Sequence, residues 1–141
     1  VNSHLSSMLH LWASLRAAHH LYWTLHWQAK GPSFQGDHTL FGDLYKARAE
    51  ELDDLAEMIA AHYGSAQLDP VRAWGAAAAC IEELVAAGSP IAIAEKVLAA
   101  VEACNEACLE GNYPASTTNL IADIGTNNLN GLYKLQQRYK V

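Results

Sequence analysis

Two kinds of side chain in this sequence could hold a metal ion, and they stand in two separate places. His26 and His38 bound the stretch "HWQAKGPSFQGDH", and Asp53 and Glu57 stand four positions apart in "ELDDLAE". Four-residue spacing puts both carboxylates on one face of a helix, where they could chelate iron, manganese, magnesium or calcium. The surrounding run "RAEELDDLAE" also reads as an ordinary solvated acidic face. Each histidine, taken alone, reads equally well as a helix-end cap or a packed polar group. Trp27, beside His26, has the ordinary role of closing a core next to a turn.

The elements that must position these groups are helical. Leu5, Leu9, Trp12, Leu15, Ala18, Tyr22 and Leu25 recur at steps of three and four, which predicts a first helix over residues 2–29. "KGPS" closes it, because Gly31 can take a positive φ and Pro32 cannot continue the ladder. Ser33 is the expected cap of a second helix, with Asp37 favourable in its first turns, and that helix runs to about Tyr63. "HYGSAQLDP" breaks it, and Asp69 before Pro70 suggests a short helix over about 71–79, with a possible continuation through "IEELVAA". A third long helix is expected from Ser89-Pro90 to Gly111, and a fourth from about Thr117 to Tyr139 with Ser116 as its cap. The predicted fold is therefore all-α, an up-and-down bundle or a relative with one crossover.

With 141 residues the chain is expected to be a single domain, 1–141. Nine basic against fifteen acidic residues give a net charge of -6, and Arg16 is the sole Lys or Arg among the first 29 residues. That balance argues against strong nucleic-acid binding, which needs a basic stripe or tail; since the chain opens at Val1, a tail ahead of it stays an open question. No apolar run reaches the ~20 residues of a membrane span. Cys80, Cys104 and Cys108 are an odd count without a CxxC pair, which fits a reducing, cytoplasmic compartment. Cys104 and Cys108 follow the stripe of Ile91, Ala94, Leu98 and Val101 and are expected in the core rather than on a metal.

Helix geometry then constrains the chemistry. At about 1.5 Å per residue, the fifteen steps from His38 to Asp53 separate them by roughly 22 Å, whereas His26 and His38 meet at one level of a tight hairpin. One chain cannot gather all four groups. Either the two pairs are unrelated, or a two-fold-related chain brings its carboxylates to the histidines of its neighbour and creates two equivalent sites.

The stretch "AHHLYWTLHWQAKGPSFQGDHTLFGDLYKARAEELDDLAEMI", residues 18–59, resembles the Dps miniferritins, a branch of the ferritin-like proteins. The frame carrying the likeness is His26-Trp27, Gly31, Phe34, His38, Leu44-Tyr45, Asp53 and Ala56-Glu57. Beyond the first two helices the likeness is looser, at "YGSAQLDP" and "STTNLI". The resemblance implies a ferritin-like four-helix bundle with a short extra helix in the joint between the second and third long helices. It further implies a dodecameric shell built from two-fold dimers, which oxidises Fe(II), preferably with hydrogen peroxide, at dinuclear sites between subunits and stores ferric mineral inside. On this reading His26 and His38 come from one subunit and Asp53 and Glu57 from its partner, with Glu57 bridging, His26 a direct ligand, and His38 reaching the second iron directly or through water. Trp27 would lie nearby as a radical sink.

One position departs from the family pattern. An Asp usually stands four residues after the second histidine; here that residue is Gly42, and Asp43 follows it. A step of one residue turns the side chain about 100° around the helix, so Asp43 should point away and the second iron should bind more weakly. The alternatives are a DNA-compacting or structural shell with a weak or decayed centre, and zinc or manganese on the same ligands. His19, seven residues before His26, is a possible auxiliary ligand but more simply a packing residue, and His20 and His62 have weaker claims. Asn127, Asn128 and Asn130 would line either a subunit contact or the cavity.

Overall fold

The computed structural model describes residues 3–140. Five long helices and one short 3-10 turn follow in order: α1 (Ser3–Gln28), α2 (Phe34–Tyr63), the turn (Ser65–Leu68), α3 (Pro70–Ala87), α4 (Pro90–Glu110) and α5 (Ala115–Tyr139). α1 packs most extensively on α2 and also on α4 and α3, and α4 packs on α5. The core they enclose includes Leu11, Leu15 and Tyr22 from α1, Phe41, Leu55 and Ile59 from α2, Val97 and Cys104 from α4, and Ile121 and Leu135 from α5. Among the described residues, no helix is long and apolar enough to cross a membrane.

The α1–α2 hairpin carries all four candidate ligands, His26 on α1 and His38, Asp53 and Glu57 on α2. Gly31 takes φ +80, the left-handed value that lets the chain reverse between the two helices. Farther along the hairpin the Trp12 indole donates to the Leu52 carbonyl at 3.1 Å, which ties the antiparallel pair across its middle. Ser33 sits at the N-cap position of α2, but its side chain makes no capping bond; its hydroxyl donates to Asp37 instead. Asp37 in turn accepts two bonds from Arg138, so the start of α2 is fastened to the end of α5.

The extra helix is not short. α3 has 18 residues and continues through Gly75 and the alanine run until Gly88, which closes it at φ +67. Asp69 accepts from the Arg72 amide as the expected cap, and Pro70 opens the helix. Alanine is the best helix former, so a run of it outweighs the roughly 1 kcal/mol cost of one glycine. Ala77, Cys80 and Leu84 supply the buried line, at steps of three and four. The architecture is thus a bundle of five long helices rather than four with a minor joint. α5 also begins two residues earlier than expected, with Pro114 rather than Ser116 at its cap. The cap at Ser89 behaves as the sequence suggests, accepting from the Ile91 amide.

Cys80, Cys104 and Cys108 are free and buried, as the apolar spacing of the last two requires. Burial pushes the Cys104 thiol up to about 12 and raises that of Cys108.

Candidate metal centre

His26 lies in the last turn of α1 and His38 in the second turn of α2, so the hairpin brings them face to face. Their rings stack at 3.7 Å between centroids, only 17° from parallel. Each ring is fixed by the opposite helix: Nδ1 of His26 lies 2.6 Å from the His38 carbonyl oxygen, and Nδ1 of His38 lies 2.9 Å from the His26 carbonyl oxygen. A carbonyl only accepts, so Nδ1 must carry the proton in both rings and Nε2 is left with the lone pair that binds metals. Phe34 stacks on the far face of the pair, 4.9 Å from His38, and Tyr45 meets His26 edge-on at 5.4 Å.

The stacking constrains what the pair can bind. A ring nitrogen binds along its own ring plane, and planes this nearly parallel do not converge within bonding distance. The two imidazoles therefore address two positions, separated on the scale of the ring stack, rather than one ion. Two-metal catalytic sites have about that separation, roughly 3.5–4 Å.

The exterior of this corner is apolar. Trp23, Trp27 and Phe34 are all exposed, Trp27 by 55%. Trp23 and Trp27 pack against each other at 4.4 Å, and Trp23 reaches Tyr45 at 6.0 Å. Trp27 thus does not close the core of its own chain, contrary to the ordinary reading of an aromatic beside a turn.

Asp53 and Glu57 lie on the same continuous α2 as His38, far toward its other end, and both are exposed. Asp53 borders a shallow cavity with Trp12, Arg16 and His19, whereas Glu57 borders another with Asp54, His62 and Thr117. Among the described residues, no group of three or more His, Cys, Asp or Glu side chains is placed to hold a metal ion within one chain. Asp43 lies in a groove toward α5 with Asn127, Asn130 and Lys134, turned from the histidines. His19 packs beside Trp23 and Tyr45, and His62 pairs with the Thr117 hydroxyl at 2.8 Å.

A second polar cluster escapes a reading based on spacing. Arg48 and Glu51 form an ion pair inside the bundle, and the Asn128 amide donates to both Glu51 oxygens at 3.3 and 3.1 Å. All three side chains are buried. Burial raises the Glu51 carboxyl above its ordinary range, and Arg48 and Asn128 counter that shift. The signal was present: Arg48 falls on the buried line of Phe41, Leu44, Leu52, Leu55 and Ile59, where the helical repeat demands a core residue. Asn128 accordingly belongs to the interior and not to an outer face.

Against known proteins, a family model described as the ferritin-like domain matches residues 8–119. No curated protein matches the chain, and no solved structure does.

Proposed function

Because the chain belongs to the ferritin-like domain family, we propose that it is a ferroxidase and iron-storage protein of the Dps type, oxidising ferrous iron at sites shared by two chains. The observation that carries this reading is the stacked His26–His38 pair, whose metal-binding nitrogens are free while its other nitrogens are spent on carbonyls. The pair lacks oxygen ligands of its own and is surrounded by exposed Trp23, Trp27 and Phe34. A two-fold neighbour would cover that apolar corner and deliver Asp53 and Glu57.

The bundle interior supports the same choice by elimination. Di-iron proteins of this fold commonly hold the metals inside one bundle, with carboxylates and Glu-x-x-His pairs from facing helices. Here the buried carboxylate is Glu51, and it is already engaged by Arg48 and Asn128. An arginine at that position repels a cation, so an interior iron pair does not fit these residues.

As substrate, two ferrous ions would sit one beside each imidazole, with Glu57 of the neighbouring chain able to reach both. Hydrogen peroxide takes one electron from each ion and, with two protons, becomes two waters, so no hydroxyl radical is released. Carboxylates favour the ferric product. The ferric ions then accumulate as mineral within a dodecameric shell, and the net charge of -6 favours cation entry. Buried free cysteines fit a cytoplasmic setting.

Subunit mixing tests the shared site. The variants His26→Ala/His38→Ala and Asp53→Ala/Glu57→Ala should each lose peroxide-driven ferrous oxidation. Co-refolded in equal amounts, half of the dimers are mixed and each mixed dimer regains one of two sites, so about a quarter of the wild-type rate should return. A mixture no faster than its inactive parents would overturn the shared-site reading. A second reading, a DNA-compacting or structural shell with a decayed centre, draws on the missing carboxylate at Gly42. It predicts DNA retardation at low salt by a wild-type protein that does not oxidise iron.

A further inference from the structure

The hollow beside Trp12 and the exposed ring of Trp23 lie on one side of the α1–α2 hairpin. Trp12, Arg16, His19, Trp23 and Trp27 recur at steps of three and four along α1, which puts them on one stripe. At one end of that stripe Trp12, Arg16 and His19 border a shallow cavity of about 270 Å³, whose α2 wall includes the small side chains Ala49 and Ala56. Toward the other end Trp23 is 39% exposed. It is held on three sides by rings of its own chain: Trp27 at 4.4 Å, Tyr45 at 6.0 Å and His19 at 6.1 Å. We infer that Trp23 anchors the two-fold contact: its indole fills the hollow between Trp12 and Ala49 of the partner subunit, and this reciprocal insertion sets the register that carries Asp53 to the neighbouring histidines.

Register identifies the occupant, given the proposed reading that two chains share the site. The hairpin keeps one alignment along its length, because the Trp12 indole bonds across to Leu52 just as His26 faces His38. A two-fold axis that brings Asp53 and Glu57 to the partner subunit's His38 must pass midway between them. That point is level with Lys46 and Ala47 on α2, and so with Ala17 and Ala18 on α1. Trp12 and Trp23 stand equally far from it, about 8 Å to either side at the helical rise. The axis thus sets Trp23 of one chain level with the hollow of the other, and the reverse. Trp27, one turn farther out, comes level with Ala56 instead. Charge selects the same antiparallel arrangement. Asp53 and Glu57 occupy one half of this face, whereas Trp23, Trp27, Tyr45 and His38 in the other half carry no negative charge. Antiparallel pairing opposes acid to neutral surface, and parallel pairing would oppose acid to acid. A large ring already fixed by its neighbours also loses little freedom on entering a hollow walled by alanine.

A swap of sizes tests the pairing in metal-free protein. Trp23→Ala empties the hollow, and Ala49→Trp, at an exposed position, fills it from its own chain. Each variant should keep the helical content of wild type by circular dichroism. Each should weaken self-association roughly tenfold or more in sedimentation across protein concentrations. In the Trp23→Ala/Ala49→Trp double variant the ring returns to the hollow from the other side, so association should be tighter than in either single variant. Overturning outcomes are a wild-type protein that stays monomeric, Trp23→Ala associating like wild type, or single losses that simply add in the double variant. Anchor and shared site fail separately. Recovery in the double variant without ferrous oxidation keeps the anchor and removes the ferroxidase. Oxidation restored by subunit mixing, with undisturbed association of Trp23→Ala, removes the anchor alone.

Discussion

The molecule carries two polar constellations within the reach of one helix, and they are finished in opposite ways. Arg48, Glu51 and Asn128 lie inside the bundle, with opposite charges paired and the carboxylate bonded on both oxygens. His26 and His38 lie at a corner, with one nitrogen of each ring satisfied and the other left to the outside. The interior cluster pairs its charges within the chain, with Arg48 Nη1 and Asn128 Oδ1 left as buried polar atoms that have no hydrogen-bond partner among the described residues. The corner pair, fixed by carbonyls of the facing helix, would on the proposed reading be half of a coordination sphere that a docking chain completes. The difference shows why composition alone misleads: the interior cluster contains the richer set of charges, but those charges answer each other, whereas the histidine pair commits one nitrogen of each ring to a carbonyl.

Breaking the comparison at its interior side should have the largest effect. Arg48→Ala leaves the buried Glu51 carboxylate without its counter-charge, and removing one partner of a buried ion pair costs about 3–5 kcal/mol. Urea unfolding should show this, and the Arg48→Met/Glu51→Leu double variant should recover most of it. Equal stability of Arg48→Ala and wild type would mean the pair is not buried in solution.

At the corner, Trp27→Ala should leave the monomer fold intact, because this ring is more exposed than buried. It should weaken self-association about tenfold or more if the tryptophan becomes a central contact of the two-fold interface. Sedimentation analysis across protein concentrations provides the measurement, and an unaltered assembly would place the interface on another face.

The smallest effect sharpens the link between the corner and the rest of the bundle. The bond from Arg138 holds the Asp37 carboxyl below its ordinary value of 3.8, with Ser33 adding to that effect. A depressed carboxyl contributes stability that is complete above the ordinary value and is lost as pH falls through the folded value. Arg138→Gln should therefore lower the melting temperature slightly at pH 7, and the deficit should shrink as the pH falls through the folded value of the Asp37 carboxyl. A deficit that persists at the acid end would assign the role of Arg138 to packing instead.

Much of this was legible in the residues. Helical periodicity and "KGPS" give the hairpin, and equal distance from the turn predicts that His26 and His38 meet. The apolar repeat places Cys104 and Cys108 in the core. What remained hidden has physical causes. α3 carries a buried line, Ala77, Cys80 and Leu84, but the alanines around it are also apolar, so neither the repeat nor the stop at Gly88 stands out from the residues. The Arg48–Glu51 pair sits in a run dense with charge, where two buried members look like the exposed ones around them. Gly42 reads in the sequence as a missing carboxylate; only the coordinates show that the His26 ring lies against it.

The buried sulfur atoms have a consequence of their own. Peroxide attacks the thiolate form of cysteine, and a thiol raised to about 12, as at Cys104, is almost wholly protonated at neutral pH. All three thiols are also walled off from solvent. If peroxide is the oxidant at the proposed site, burial would keep these thiols from it, so repeated turnover should leave the cysteines reduced.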